Sequence, residues 1–227
     1  MFCLRAWKIK MNKLLIFDVD GVLEKEELII KARHDALIKA IADKFKISLE
    51  EAQKKYEEAR DKLPPDKKET SLYIFMKCGF SRKDYFSVLD RVEPEGIIEP
   101  HENCEELLKK LHNKNKIISY SNSPKKASVK TLKVLKIDHY INKIYSSEDF
   151  EESKPSLNNL RKMMEEMGFQ SKDTILIGNS VKKDIVPAHE LGIKTILFDP
   201  YNKHQDKPKE ADFVIMDLIE IVDIVKK

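Results

Sequence analysis

The sequence predicts an α/β protein: a parallel-sheet core interrupted, after its first strand, by an all-helical block. Three observations carry this. Leu14-Leu15-Ile16-Phe17 is an apolar run without alternation, the pattern of a strand buried on both faces. Residues 24–96 show helical periodicity and no strand-like run. From residue 97 onward strand and helix patterns alternate, as in a parallel sheet with right-handed crossovers. The expected division is a core of residues 1–23 and 97–227 and a helical block of residues 24–96.

Met1 to Lys10 is too short and too broken by charge for a signal peptide, and Met11 directly precedes the first strand. This stretch reads as an extension outside the fold. Beyond the first strand, residues 28–45 place Leu28, Ile29, Ala32, Ala36, Leu37, Ala40, Ile41 and Phe45 at near-helical spacing. Ser48-Leu49-Glu50-Glu51 is a capping-box pattern that opens a second helix, ended near Leu63 by Pro64-Pro65. A third helix is expected over 67–78, with Leu72, Phe75 and Met76 on its apolar face. Ser81-Arg82-Lys83-Asp84 opens a fourth, and Glu93-Pro94-Glu95-Gly96 closes the block.

The core then resumes with a helix over 101–113 and a strand over 116–121. Ser123 is placed to cap the next helix, with Pro124 at its first position and its end near Leu135. A strand over 143–146, a helix over 156–167 closed by Gly168, and a strand over 174–177 follow. A helix over 182–191, strands over 194–198 and 213–215, and a helix over 217–225 complete the chain.

Composition narrows the classes of partner. With 42 basic and 39 acidic residues, net +3, there is no global nucleic-acid footprint. The cysteines, Cys3, Cys78 and Cys104, form no Cys-x-x-Cys pair, which argues against a disulfide framework or structural zinc and for a reducing cytoplasm. No apolar run is long enough to span a bilayer. The expected protein is cytoplasmic, with no nucleic-acid or membrane partner.

The chemistry converges on strand ends, where ligands bind in open α/β sheets. Asp18 and Asp20 leave the first strand one residue apart, with Gly21 behind them. Two acids so close repel each other, and a cation or a catalytic use would offset that cost. Ser121-Asn122 ends another strand, where a hydroxyl and the amides of the next helix start can hold an anion. With Ser123 as the cap, Ser121 is free for that role. Lys154 precedes a helix N-terminus, an end that already carries partial positive charge, so a bound anion would resolve the conflict. Gly178-Asn179-Ser180 and Asp184 supply oxygen ligands without sulfur, which suits Mg²⁺ rather than zinc.

Four ordered motifs, Asp18-Val19-Asp20-Gly21-Val22-Leu23, Ser121-Asn122, Lys154-Pro155 and Gly178-Asn179-Ser180 with Asp184, resemble those of the haloacid dehalogenase-like hydrolase superfamily. The resemblance implies a Rossmann-like core with a helical cap and a phosphatase-type activity on a small phosphorylated metabolite. It implies Asp18 as the nucleophile that forms an aspartyl-phosphate and Asp20 as the general acid/base. It implies Ser121, Asn122 and Lys154 as phosphate-binding residues. Mg²⁺ would be held by Asp18, the backbone carbonyl of Asp20, and Asp184. Many relatives carry Asp where this chain has Asn179, so Asn179 is expected to contribute second to Asp184, through its amide oxygen or a water. Lys25, Arg33, Tyr56 and Lys62 are candidate cap contacts to the leaving group, although each taken singly reads first as a surface residue. Asp20 disfavours a dehalogenase, since halide displacement needs no leaving-group proton. A non-catalytic phosphate-binding protein and a phosphomutase remain as alternatives on the same fold. The sequence leaves open the identity of the phosphate ester and the oligomeric state.

Overall fold

The computed structural model describes residues 12–65, 67–204 and 206–226. The expected extension at Met1–Lys10, and Cys3 within it, lie outside the described residues. One all-parallel sheet forms the core, built from β1 (Leu14–Phe17), β2 (Lys116–Ser121), β3 (Lys143–Ser146), β4 (Thr174–Gly178), β5 (Lys194–Phe198) and β6 (Phe213–Ile215). Their order is β3-β2-β1-β4-β5-β6, so β1 is central, with Phe17 in register with Ser119 on one side and Ile177 on the other. The strand order reverses beside β1. Crossovers there leave toward opposite faces and open a crevice at the strands' carboxyl ends.

Both faces of β1 are buried, which explains its unbroken apolar run. Leu15 and Phe17 pack on one side with α5 (Cys104–Leu111), α6 (Lys125–Val134) and α9 (Ile221–Val225), through Leu107, Leu132 and Ile221. Leu14 and Ile16 pack on the other with α7 (Leu157–Met167) and α8 (Val186–Glu190), through Leu160, Met163 and Ala188. Between β1 and α5 the chain builds α1 (Glu27–Phe45), α2 (Leu49–Asp61), α3 (Ser71–Lys77) and α4 (Arg82–Leu89). These helices bury Leu37, Ile41, Tyr56, Phe75 and Phe86 against one another, in a cluster separate from the two sheet faces.

Several boundaries differ from expectation for local reasons. α3 starts at Ser71 rather than 67, because Lys67 and Lys68 donate backward to the Pro64 carbonyl in a turn. Met76 lies on its exposed side, and Ile74 joins Leu72 and Phe75 inside. The helix expected over 182–191 is a π-helical turn, Val181–Ile185, followed by α8. Pro187 has no N–H to donate and its ring crowds the preceding turn, which suits that widening. The last helix begins as a 3₁₀ turn, Leu218–Glu220, capped by Asp217.

The helical insert is fastened to the core. Arg82 of α4 donates to the carbonyls of Glu151 (2.7 Å), Phe150 (3.1 Å) and Ser147, and Lys130 of α6 reaches the Asp90 carbonyl at 3.0 Å. Phe75→Ala would leave a cavity at the centre of the insert. It is expected to destabilise the protein by about 3–5 kcal/mol, read from the shift of the urea midpoint.

Candidate active site

Asp18 continues β1 by one residue, its N–H donating to the Ile177 carbonyl at 2.9 Å. Its Oδ1 accepts from the Val19 N–H (2.8 Å) and from the Lys154 Nζ (2.9 Å). The same ammonium donates to Asp184 Oδ1 at 2.9 Å, and both Lys154 and Asp184 are buried. Residues far apart in sequence thus form one carboxylate–ammonium–carboxylate bridge over the carboxyl end of the sheet. The fixed anions Asp18 and Asp184 answer the electrostatic conflict at Lys154, where the sequence suggested a bound one.

Asn122 is half-buried and acts on Lys154 itself: its Oδ1 accepts from the Lys154 N–H (2.7 Å) and its Nδ2 donates to the Lys154 carbonyl (3.4 Å). Its side chain is therefore committed to the lysine backbone, which leaves the phosphate-binding role expected of it to the backbone alone. The Lys154 ammonium also lies 4.9 Å from the Tyr120 ring centre, and Asn159 Nδ2 donates to the Tyr120 hydroxyl at 2.8 Å.

Asp20 is gripped from both sides. Ser121 and Ser123 each donate a hydroxyl to its Oδ2 at 2.7 Å, and Arg33 of α1 donates to its Oδ1 at 2.7 Å. Ser123 therefore does not cap α6. Pro124 occupies that position without a side-chain bond, and the Glu148 carboxylate takes the Lys125 N–H at 2.6 Å instead. Sequence reasoning missed Ser123 as a site residue. The available signal was its spacing of two from Ser121, outweighed by the Ser-Pro capping pattern.

Their surroundings push the two acids in opposite directions. Burial, aided by the negative charges of Asp184 and Asp20, pushes Asp18 up to about 8 despite the pull of Lys154. Burial also works against ionisation of Asp20, but Arg33 and the Ser123 and Ser121 hydroxyls outweigh it and hold that carboxyl at about 2. Beside them Glu24 is completely buried, and neither of its carboxyl oxygens has a hydrogen-bond partner among the described residues. Burial, then the charge of Asp20, pushes Glu24 up to about 9.

Two glycines create the space for this packing. A Cβ at Gly178 would fall 2.4 Å from Asp184 Cβ, so only glycine lets that carboxylate press against the end of β4. Gly21 has φ +78°, and a Cβ there would meet Asn179 Nδ2 at 2.0 Å. Asn179 is half-buried, and its Nδ2 donates to Glu26 Oε1 at 3.5 Å. Asp184 Oδ2 accepts from the Ser180 N–H at 3.2 Å.

These donors fit a hard divalent cation better than zinc. They are oxygens only, and the partly buried carboxylate of Asp18 and the buried one of Asp184 share a single ammonium. No cluster of three His, Cys, Asp or Glu side chains forms a ready cage among the described residues. A metal here would need neutral oxygens as well; of those expected, the Asn179 amide faces Gly21 and Glu26, and no contact joins it to the Asp18–Lys154–Asp184 bridge.

A cavity of about 460 Å³ extends from Asp20 and Ser123 into the helical insert. Of the expected cap contacts, Arg33 and Tyr56 line it, whereas Lys25 pairs with Glu99 at 3.4 Å and Lys62 is exposed. A larger open hollow of about 720 Å³, around Arg82, Phe86 and Lys126, is not lined by Asp18, Asp20, Asp184 or Lys154. No helix of the described residues is long and apolar enough to cross a membrane.

A family model described as haloacid dehalogenase-like hydrolase matches residues 15–198. Pyrophosphatase PpaX of Halalkalibacterium halodurans is 24% identical over 217 residues, spanning 93% of this chain and 95% of that protein. Glyceraldehyde 3-phosphate phosphatase of Methanocaldococcus jannaschii is 34% identical over 93 residues, 40% of this chain and 41% of that protein. Among solved structures, a HAD phosphatase from Thermococcus onnurineus superposes with a TM-score of 0.70 at 18% identity, covering 94% of this chain and 97% of that one. A 2-haloacid dehalogenase from Pseudomonas syringae reaches 0.68 at 16% identity, covering 95% and 99%.

Glu24 gives a pH test of this electrostatic layout. Between the ordinary value of 4.5 and about 9, the folded protein keeps a proton on Glu24 that the unfolded chain has released, so its contribution to stability falls as pH rises through that window. A glutamine side chain at this position does not titrate. The melting temperature of Glu24→Gln relative to wild type is expected to rise steadily across the window, measured by calorimetry at matched ionic strength.

Proposed function

We propose that this chain, which belongs to the haloacid dehalogenase-like hydrolase family, is a Mg²⁺-dependent phosphatase that hydrolyses a small phosphorylated metabolite through an aspartyl-phosphate. The observation that carries this reading is the Lys154 ammonium, 2.9 Å from both Asp18 and Asp184, with Asp20 held beside it. In this reading Asp18 attacks phosphorus in line, and Lys154 holds it in place and offsets its charge. Ser121, whose hydroxyl must turn from Asp20 to do so, and the backbone amide of Asn122 receive the phosphate oxygens, while the Ser123 N–H is held by Ser121 Oγ. Asp18, Asp184, the Asp20 carbonyl and Asn179 would hold the metal. Mg²⁺, when bound, supplies positive charge against the phosphate and the crowded acids.

Asp20 protonates the leaving oxygen and later takes a proton from the hydrolytic water. With Arg33 on it, Asp20 is in the base form that the second half of the cycle requires. Delivery of a proton in the first half requires Arg33 to turn toward the substrate. Arg33 belongs to the helical insert, so acid/base state and closure are coupled in this reading. Residues 24–96 then act as a cap that shields the site from water. The two free buried cysteines, Cys78 and Cys104, suit a reducing cytoplasm.

The test is phosphate release from p-nitrophenyl phosphate by the full chain. Release is expected with Mg²⁺ and lost with a chelator. Asp18→Asn is expected to lower kcat on this ester by about 10²–10⁴-fold or more, and Asp20→Asn to do the same on an alkyl phosphate, whose leaving oxygen needs the proton. Wild-type-like turnover in either variant would remove the assigned role. No release under any divalent condition would favour a non-catalytic phosphate-binding protein, to which the neutral Asn179 points.

A further inference from the structure

The cavity beyond Asp20 carries more positive charge than the protein itself answers. Four cationic side chains, Arg33, Arg60, Lys68 and Lys183, line it, against two carboxylates, Asp20 and Glu69. Both carboxylates have partners already: Asp20 pairs with Arg33 at 2.7 Å, and Glu69 with Lys182 at 3.6 Å. Among the described residues Arg60 pairs with Asp61 alone, at 3.8 Å through Nε on an exposed surface. Lys183 Nζ reaches the Glu69 carbonyl at 3.5 Å and feels the Glu26 carboxylate, which lies outside the cavity lining, and Lys68 has no ion-pair partner among the described residues.

These three cations come from separate segments: the end of α2, the turn before α3 and the π-helical turn after β4. Folding, rather than a local run of lysines, gathers them on one cavity. Lys68 and Lys183 are half-buried there, unlike residues of a fully solvated face. Part of the remaining wall is apolar and aromatic, with Ile74, Leu89, Tyr56 and Tyr85, and part is polar, with His34 and Ser71. About 460 Å³ is the volume of a small-molecule site.

Building on the phosphatase reading, we propose that the leaving group of the substrate carries a second anionic group, a carboxylate or a phosphate, held by Arg60, Lys68 and Lys183. The carbon segment lies along the aromatic wall. Because Arg60 and Lys68 belong to the insert and Lys183 to the core, one bound anion ties the two together. Charge-assisted contacts of this kind discriminate by leaving cations unanswered when the anion is missing.

The experiment compares three two-carbon esters on the full chain with Mg²⁺: ethyl phosphate, 2-phosphoglycolate and ethylene glycol bisphosphate, with p-nitrophenyl phosphate as a control. One or both charged esters are expected to exceed ethyl phosphate in kcat/KM by about tenfold or more. The Arg60→Gln, Lys68→Met double variant is expected to abolish most of that preference while leaving ethyl phosphate turnover unchanged. Which charged ester gains distinguishes carboxylate from phosphate. Equal kcat/KM on all three esters, or a preference that survives the double variant, overturns this inference alone. Failure to hydrolyse even p-nitrophenyl phosphate overturns the phosphatase reading and this inference with it.

Discussion

One buried and one partly buried carboxylate against a single buried ammonium set the terms for everything near them. Lys154 meets Asp18 and Asp184 at 2.9 Å each, in a place from which water is largely excluded. Removing one partner from such an arrangement typically costs about 3–5 kcal/mol, because an uncompensated buried charge remains. The surrounding structure is arranged to keep the three together. Asn122 grips the lysine backbone, Tyr120 supports its ammonium, and the missing side chain of Gly178 makes room for Asp184. The positions follow from topology as much as from local sequence. β1 and β4 are adjacent, so the residues that leave their ends must meet.

The second constraint is exchange between insert and core. Arg33 comes from the first helix of the insert and is the strongest partner of Asp20. Arg82, at the other end of the insert, reaches backbone carbonyls beside the core's Lys154 segment. Any movement of the helices must therefore reach Asp20. In the proposed reading this couples the insert to Asp20, because Arg33 is the one of its three side-chain partners that the insert supplies.

Much of this fold is legible in the sequence because the strands are buried on both faces. β1, β2, β3, β5 and β6 appear at the expected bounds, their runs marked by apolar continuity and by the helices between them. The aspartates, serine and lysine that meet at the strand ends were found from their placement on successive strands. What was not legible depends on tertiary choice. Ser123 satisfies a capping pattern equally well, and only the approach of Asp20 turns its hydroxyl away from α6. The π-helical turn depends on how Pro187 adjusts to a bend that local spacing does not encode. Arg60, Lys68 and Lys183 read individually as solvated surface charges, and their convergence emerges only once three separate segments are brought to one cavity.

The account centres on Asp18 as the group that takes the phosphoryl, held by Lys154. The most direct measurement is mass spectrometry of protein quenched in acid during turnover of an aryl phosphate with Mg²⁺, followed by peptide mapping. The account predicts a phosphoryl adduct on the peptide that bears Asp18 and its loss in Asp18→Asn. A phosphoryl group on another residue, or turnover without any adduct in a rapid-quench series, would contradict it.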